Sequence, residues 1–360
     1  MEENKEKKRG GWKRALLITI CVILALILIL IASAGIFVNY LLGKMEKVRP
    51  EDEVTISSSE VEELLQTDPD VVPVDPSESL PSIEDVIFPT EGQEPDKQPE
   101  QPDYVKNILL VGQDRRGSKG RARSDAMIMV TFNTKAKTIT LTSFMRDAYV
   151  RIPGYKSHKL NHAYQYGGFS LLNETLRVNF GVEIHGNFEV DFQRFQKLID
   201  FLGGVDVSLD QAEVDYLYHG NGMRWDELHV GVNHLNGEQA LAFARLREID
   251  SDYQRTNRQR KVIMSVMQAY KNQPLDQLLP VLEETLGIVT TNMENDDIVG
   301  LAFEMFPMLS SAKINTMQIP AHGTFDQGDV LVREGLKNWF QYNIDFKANR
   351  ELIWELFEEN

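Results

Sequence analysis

The stretch NILLVGQDRRGSKGRARSDAMIMVTFNTKAKTITLTS, residues 107–143, holds three apolar β-type runs within one short span. Asn107 to Gly112 is a buried-type strand ending in glycine. Asp125 to Phe132 and Thr138 to Ser143 are two further strands, joined by the turn Asn133-Thr134-Lys135-Ala136-Lys137. Downstream, Tyr149 to Ile152 suits a further short strand. Phe169 to Asn179 and Asp191 to Phe201 have helical spacing, with Ile184 to Val190 extended between them. Gly203-Gly204 turns the chain into a strand at Val205 to Val207.

Asn236 to Lys261 opens a helix with a capping box, Asn236 as cap and Gln239 as its reciprocal partner. An acidic turn then leads into a second, cationic helix that runs toward Tyr270. Helices near Leu275 to Leu286 and Ile298 to Leu309, a strand at Lys313 to Ile319 and a last helix near Leu331 to Tyr342 complete the pattern. Strands and helices interleaved in this way predict an α/β fold, an α-β-α sandwich around a mixed central sheet. There is no internal repeat.

The 360 residues carry a net charge of −16, unevenly distributed. Glu46 to Asp103 holds eighteen acids against three bases and nine of the fourteen prolines. Such a composition predicts an acidic, extended linker over residues 39–103, with only short apolar pieces such as Val61 to Leu65. Before it, Ala15 to Val38 is an uncharged apolar run of 24 residues, long enough to span a bilayer. Residues 1–14 are basic, so the expected topology is a single-pass anchor at 15–38 with the N-terminus in the cytoplasm. The domain at 104–360, with its motif core at 104–271, then lies outside the cytoplasmic membrane. A cleaved signal peptide is the alternative, with Ala32-Ser33-Ala34 as its site, although the apolar run continues past it. The sole cysteine, Cys21, sits in the apolar run, which excludes thiol chemistry and disulfides from the exported part. A mildly acidic domain without a basic-aromatic module excludes nucleic acid as a partner.

Between Arg245 and Arg260 stand five arginines and three acids. Guanidinium forks match phosphate oxygens bidentately, so Arg245, Arg247, Arg255, Arg258 and Gln259 suit a pyrophosphate or polyanion clamp. An i, i+4 ion-pair network is the competing reading. Asp114 and Asp125 flank one sheet edge with Arg116 and Arg123 beside them. Two carboxylates among arginines suit a divalent ion shared with phosphate oxygens; each could instead cap a turn or pair with an arginine. Arg146-Asp147 follows another strand end, and Lys159, Asn161 and His162 occupy the next loop. No Ser/His/Asp elbow, Walker loop, HExxH or zinc spacing occurs.

Taken in order, NILLVGQDRR, RSDAMIMV, SFMRDAYVRIPG, KLNHAYQYGG, FLGGVDV, LNGEQALAFARLR and DYQRTNRQ resemble the LytR-CpsA-Psr family of cell-envelope proteins over Tyr104 to Lys271. The resemblance implies a phosphotransferase of the Gram-positive envelope. It would move an anionic glycopolymer (teichoic acid, capsule or a similar glycan) from a polyprenyl-pyrophosphate carrier to peptidoglycan through a phosphodiester. It also implies an apolar tunnel for the polyprenyl chain, for which Phe169, Leu172, Phe192, Phe195, Leu198 and Met264 have suitable spacing, although a plain core would look the same. By position, Mg²⁺ (or Mn²⁺) falls on Asp114 and Asp125. The pyrophosphate falls on Arg123, Arg146, Arg245, Arg247 and Arg255 with Gln259, and Asp252 becomes a candidate base for the acceptor hydroxyl. Met145, Gln254 and Ala126 depart from the family pattern without removing a charge. Two other readings use the same pocket: a membrane-tethered regulator that binds polyprenyl phosphate without turnover, and a pyrophosphatase acting on the same donor.

Overall fold

The three strands expected within residues 107–143 form the centre of a seven-stranded mixed sheet in the computed structural model. The structure describes residues 37–75, 77–86, 100–113, 121–219, 225, 227–247, 249–270 and 283–358. The chain divides into two units, Met1–Met45 and Glu46–Asn360. In the first, residues 37–42 are helical. The anchor expected at 15–38 lies, but for its last two residues, outside the described residues. No helix among the described residues is long and apolar enough to cross a membrane.

The second unit runs β1 (Glu46–Lys47), α1 (Ser58–Gln66), β2 (Val72–Pro73), β3 (Val105–Gln113), β4 (Ser124–Asn133), β5 (Thr138–Phe144), β6 (Tyr149–Val150) and β7 (His158–Lys159). It continues with α2 (Leu160–Phe180), β8 (Gly186–Asp191), α3 (Phe192–Phe201), β9 (Val205–Leu209), α4 (Gln211–His219), β10 (Gly231–Leu235), α5 (Gly237–Arg245) and α6 (Asp252–Tyr270). β11 (Thr290–Thr291), α7 (Asn295–Leu309), β12 (Lys313–Ile319), β13 (Asp326–Arg333), β14 (Leu336–Tyr342) and α8 (Phe346–Trp354) complete it.

The main sheet has the order β1-β11-β8-β3-β4-β5-β12. β3, β4 and β5 pair antiparallel, while β8 joins β3 and β12 joins β5 in parallel. Alternation along β4 explains the layers. Met127 and Met129 face the core shared with Leu172, Leu176 and Phe180 of α2, whereas Ile128 and Val130 face Ile263 of α6 and Met305 and Met308 of α7. The sheet is therefore covered by helices on both faces. Each fully buried aliphatic side chain here, such as Leu109 or Leu141, contributes about 1.5–3 kcal/mol.

Two expectations change. The first concerns the acidic segment: residues 46–75 and 77–86 are not an extended tether but carry β1, α1 and β2 onto the domain. α1 is nucleated by a capping box between Ser57 and Glu60, and Val61 buries against the α2-side core. Further back, Glu53 accepts from the Phe169 and Ser170 amides at 2.6 and 2.8 Å. It thereby caps the part of α2 that restarts after a break at Gly167 and Gly168. Gly168 has φ +66°, and a Cβ there would lie 2.4 Å from Glu53 Oε1, so glycine is required. Few apolar residues suffice because the domain, not the segment, supplies the core.

The second concerns the last helix expected at Leu331 to Tyr342. These residues form the hairpin β13–β14, turning at Glu334-Gly335 with Gly335 at φ +70°. Strand β2 adds to its edge. The helix expected at Leu275 to Leu286 lies mostly outside the described residues.

Candidate functional site

Loops after β5, before β4 and between α5 and α6 bring the charged residues together at one end of the sheet. Asp125, the second residue of β4, receives Arg146 Nη1 at 2.6 Å, and Arg247 Nη2 lies 3.7 Å from the same oxygen. Asp252, in the first turn of α6, gathers three arginines: Arg255 at 2.9 Å, Arg146 at 3.8 Å and Arg247 at 3.8 Å. Arg146 also meets Asp147 at 3.2 Å, and Lys159 reaches Asp147 at 3.1 Å. Arg123 is held by Asp68 at 3.1 Å and Asp70 at 2.8 Å, both from the acidic segment. Arg245 lies over the Phe192 ring, 4.5 Å from its centroid.

Burial works against the charge on Arg146, Arg247 and Arg255. For Arg146 the carboxylates of Asp147, Asp252 and Asp125 prevail and hold its proton more tightly than usual. For Arg247, burial and the neighbouring Arg146 win, and its affinity for the proton falls. Burial pushes Arg255 down to about 10, with Asp252 partly offsetting it, so it stays charged at neutral pH. Asp147 is buried as well, but Arg146, Lys159 and Arg255 keep it ionised below the usual carboxylate range. Arg255 Nε and Gln259 Oε1 are buried without a hydrogen-bond partner among the described residues. A buried polar atom left unpaired costs about 1–3 kcal/mol, which an oxygen-rich anionic ligand would recover at Arg255.

Of these groups, Arg123, Asp125, Arg146, Arg245, Arg247, Arg255 and Gln259 line one end of a cavity of about 1310 Å³ that also carries Asp68, Arg121 and His162. Its length is apolar. The sheet contributes Leu110, Ile128 and Phe188, α3 contributes Phe195 and Leu198, and α6 contributes Val262, Val266 and Met267. The cavity therefore joins a cluster of cations to a hydrophobic channel, the complement of an amphipathic phosphate ester.

The sequence-derived residues divide as follows. Arg123, Asp125, Arg146, Arg245, Arg247, Arg255 and Gln259 line the cavity, as do Phe192, Phe195 and Leu198. Asp114 and Arg116 lie outside the described residues. Arg258 is not brought to the cavity: it is 2% exposed and binds Glu213, Asp250 and the Leu246 carbonyl, tying α4 to the α5–α6 turn. Phe169 and Leu172 are core beneath the other face of the sheet, and Met264 packs with α7. Asp68, Asp70 and Arg121 escaped sequence reasoning. Asp68 and Asp70 sit in a segment whose acid content hides these two partners of Arg123 among sixteen other carboxylates, and nothing local marks them.

Among the described residues, no three His, Cys, Asp or Glu side chains gather as a metal site. An ion held by one or two carboxylates, with phosphate and water completing its shell, needs less than that. Asp125 meets this requirement at the cationic end, and Asp114 directly follows Gln113, which pairs with Ser124 next to Asp125.

Residues 85–343 match the model of the LytR_cpsA_psr family. The polyisoprenyl-teichoic acid–peptidoglycan teichoic acid transferase TagT of Bacillus subtilis (strain 168) is 32% identical over 222 residues, covering 60% of this chain and 68% of TagT. The transferase of the same description named TagU from Oceanobacillus iheyensis is 34% identical over 245 residues, covering 64% of this chain and 73% of its own. Among solved structures, TagT bound to LIIa-WTA superposes with a TM-score of 0.57 at 28% identity, covering 71% of this chain and 91% of that one. B. subtilis TagV gives 0.57 at 26% identity, covering 71% and 98%.

Proposed function

The chain belongs to the LytR-CpsA-Psr family, and we propose that it transfers an anionic glycopolymer of the teichoic acid class from a polyprenyl-pyrophosphate carrier to peptidoglycan. The observation that carries this reading is the single cavity with a cationic end and an apolar length. A pyrophosphate fits the first and a polyprenyl chain the second. The relatives' activity as teichoic acid–peptidoglycan transferases supplies the glycan and the acceptor of this reading.

In the proposed reaction an acceptor hydroxyl oxygen bonds to the glycan-side phosphorus. The bond from that phosphorus to the bridging oxygen breaks, and polyprenyl phosphate leaves with the electron pair. Negative charge grows on the equatorial and leaving oxygens, so the protein's task is to position cations before the reaction begins. Arg146, Arg247 and Arg255, held at fixed spacing by Asp252, meet that charge. Arg123 and Arg245 grip the pyrophosphate from the flanks. In this geometry Asp252 acts as the hub that orients three guanidinium groups, a different role from the base suggested by its sequence position. Mg²⁺, when bound by Asp125 and Asp114, would neutralise phosphate charge and orient its oxygens. The apolar residues of α3 and α6 keep water from the leaving group, which favours transfer over hydrolysis.

We further assign the reaction to the outer face of the cytoplasmic membrane, with residues 15–38 as the anchor, on the strength of the uncharged run and its basic flank. The test incubates the full chain in detergent with a short-chain polyprenyl-pyrophosphate disaccharide, Mg²⁺ and peptidoglycan fragments, and follows products by mass spectrometry. A phosphodiester-linked product that disappears with Arg247→Ala is the expected result. Free glycan phosphate without any linked product would identify a pyrophosphatase. Binding with no turnover at all would identify a lipid-binding regulator.

A further inference from the structure

Among the described residues, one buried carboxylate oxygen in the cavity wall has no hydrogen-bond partner. Asp68 is 8% exposed and its Oδ1 binds Arg123, while Oδ2 is buried and unpaired. His162 Nε2 lies 3.8 Å from it, too far for a hydrogen bond. Both residues line the cavity beside Arg123 and Arg146. His162 Nδ1 lies 3.0 Å from the Tyr166 hydroxyl. Burial holds that hydroxyl protonated and the imidazole neutral. The Asp68 carboxylate facing Nε2 favours the tautomer with its proton there, and the Tyr166 hydroxyl then donates to Nδ1. An acceptor at Oδ2 and a donor at Nε2, separated by a gap neither can close, complement one alcohol group.

We propose that Asp68 and His162 form the subsite for the acceptor hydroxyl. The hydroxyl donates to Asp68 Oδ2 and accepts from His162 Nε2. This deepens, and rests on, the transferase reading above. As the new O–P bond forms, the hydroxyl proton passes to Asp68 Oδ2. The P–O bond to the bridging oxygen breaks and that oxygen keeps the electron pair; the proton then leaves Asp68 for the departing phosphate or for water. Arg123 joins the two halves of the reaction, since the guanidinium that contacts the donor phosphate is the one that fixes the base. The acidic segment is accordingly part of the active site: Ile56 N donates to the Tyr166 carbonyl at 3.0 Å and Tyr155 Oη to the Ile56 carbonyl at 2.6 Å, anchoring the approach to α1.

The test uses the full chain in detergent with wild type, Asp68→Asn, His162→Gln and Asp70→Asn. Asp70→Asn removes the other carboxylate on Arg123 and so measures the effect of loosening that arginine alone. Asp68→Asn is expected to lower transfer by about 100-fold, at the low end of a general base's contribution. Any weakening of binding of a short polyprenyl-pyrophosphate disaccharide should match that of Asp70→Asn, since both loosen Arg123, and the loss of transfer should exceed that of Asp70→Asn by at least about tenfold. Transfer at the wild-type rate, or a loss no greater than that of Asp70→Asn, overturns the subsite. If Asp68→Asn fails to fold, His162→Gln decides, with a rate loss at unchanged donor affinity in favour and a wild-type rate against. Should the wild-type chain give no linked product, the transferase reading fails on its own. Binding of a muramic-acid disaccharide fragment, followed by saturation-transfer NMR, then judges the subsite. Weaker binding in both Asp68→Asn and His162→Gln upholds it, and unchanged binding refutes it.

Discussion

Replacing Arg146 with glutamine separates the structural and chemical work of the charged cluster. Its guanidinium lies 2.6 Å from Asp125, 3.2 Å from Asp147 and 3.8 Å from Asp252. Removing one member of a buried ion pair costs about 3–5 kcal/mol, because the partner is left charged and desolvated. Here Lys159 still meets Asp147 at 3.1 Å and Arg255 still meets Asp252 at 2.9 Å, so the low end, about 3 kcal/mol, applies. For the unit Glu46–Asn360, with an unfolding entropy of about 2.1 cal/mol/K per residue, that corresponds to a fall in Tm of about 4–5 °C. Turnover should fall further than stability explains. Losing one preorganised donor to a developing oxyanion costs about 10²–10³ in kcat. Calorimetry of the full chain gives the first quantity, and linked product per unit time below the transition gives the second. Arg146→Lys should recover most of the Tm by restoring the charge but little of the rate, since an ammonium cannot span Asp125 and Asp147 as a planar fork does. Wild-type Tm and turnover in Arg146→Gln would refute the reasoning. So would a rate fully restored by lysine.

Three further outcomes follow from the packing. His158 is pushed down to about 3 by burial with Lys159 and Arg123, and stacks 4.0 Å from His162, which is lowered as well. The unfolded chain therefore binds more protons than the folded one between the two pKa values. Stability should fall as pH drops below about 6.5, by roughly 2 kcal/mol at pH 5 for His158 alone, read from urea midpoints at pH 7 and 5; equal midpoints would contradict it. Gly237→Ala would put a Cβ 2.1 Å from the Gln196 carbonyl oxygen, forcing α3 and α5 apart at a cost of about 1–3 kcal/mol in thermal denaturation. An unchanged Tm would mean the helices yield without loss. A chain beginning at Tyr104 should melt well below one beginning at Glu46, because it lacks buried Val61 and Val86 and the Glu53 cap on α2, worth together at least about 3 kcal/mol. Coincident melting curves would show that the acidic segment adds nothing.

The central strands were legible because their apolar alternation is strong and their lengths are ordinary: β12 spans Lys313–Ile319, the run expected for it. The Asn236 capping box was legible because it is a local rule, and Asn236 and Gln239 exchange the anticipated hydrogen bonds. The segment before Tyr104 was not. Its composition opposes an independent core, yet a segment needs no core of its own when Val61 can bury in another's. The β13–β14 hairpin failed for a different reason. Val332, Leu336, Trp339 and Phe340 fall at helical spacing, i, i+4, i+7 and i+8, and only the Gly335 turn marks the hairpin. At the site, arginine spacing identified a cationic cluster but could not tell Arg255, which faces the cavity, from Arg258 three residues on, which turns to Glu213.

Helix α6 serves both ends of the cavity. Arg255 and Gln259 stand near its start, and Val262, Ile263, Val266 and Met267 follow on the same cavity wall. From Arg255 to Met267 is twelve residues, or about 18 Å of helix. In the proposed reaction one rod thus gauges the donor, with the headgroup registered at its first turns and the tail at its last. A substitution that bends α6 would detune both at once. One in α3 beside Phe195 or Leu198 would alter only how the tail is gripped.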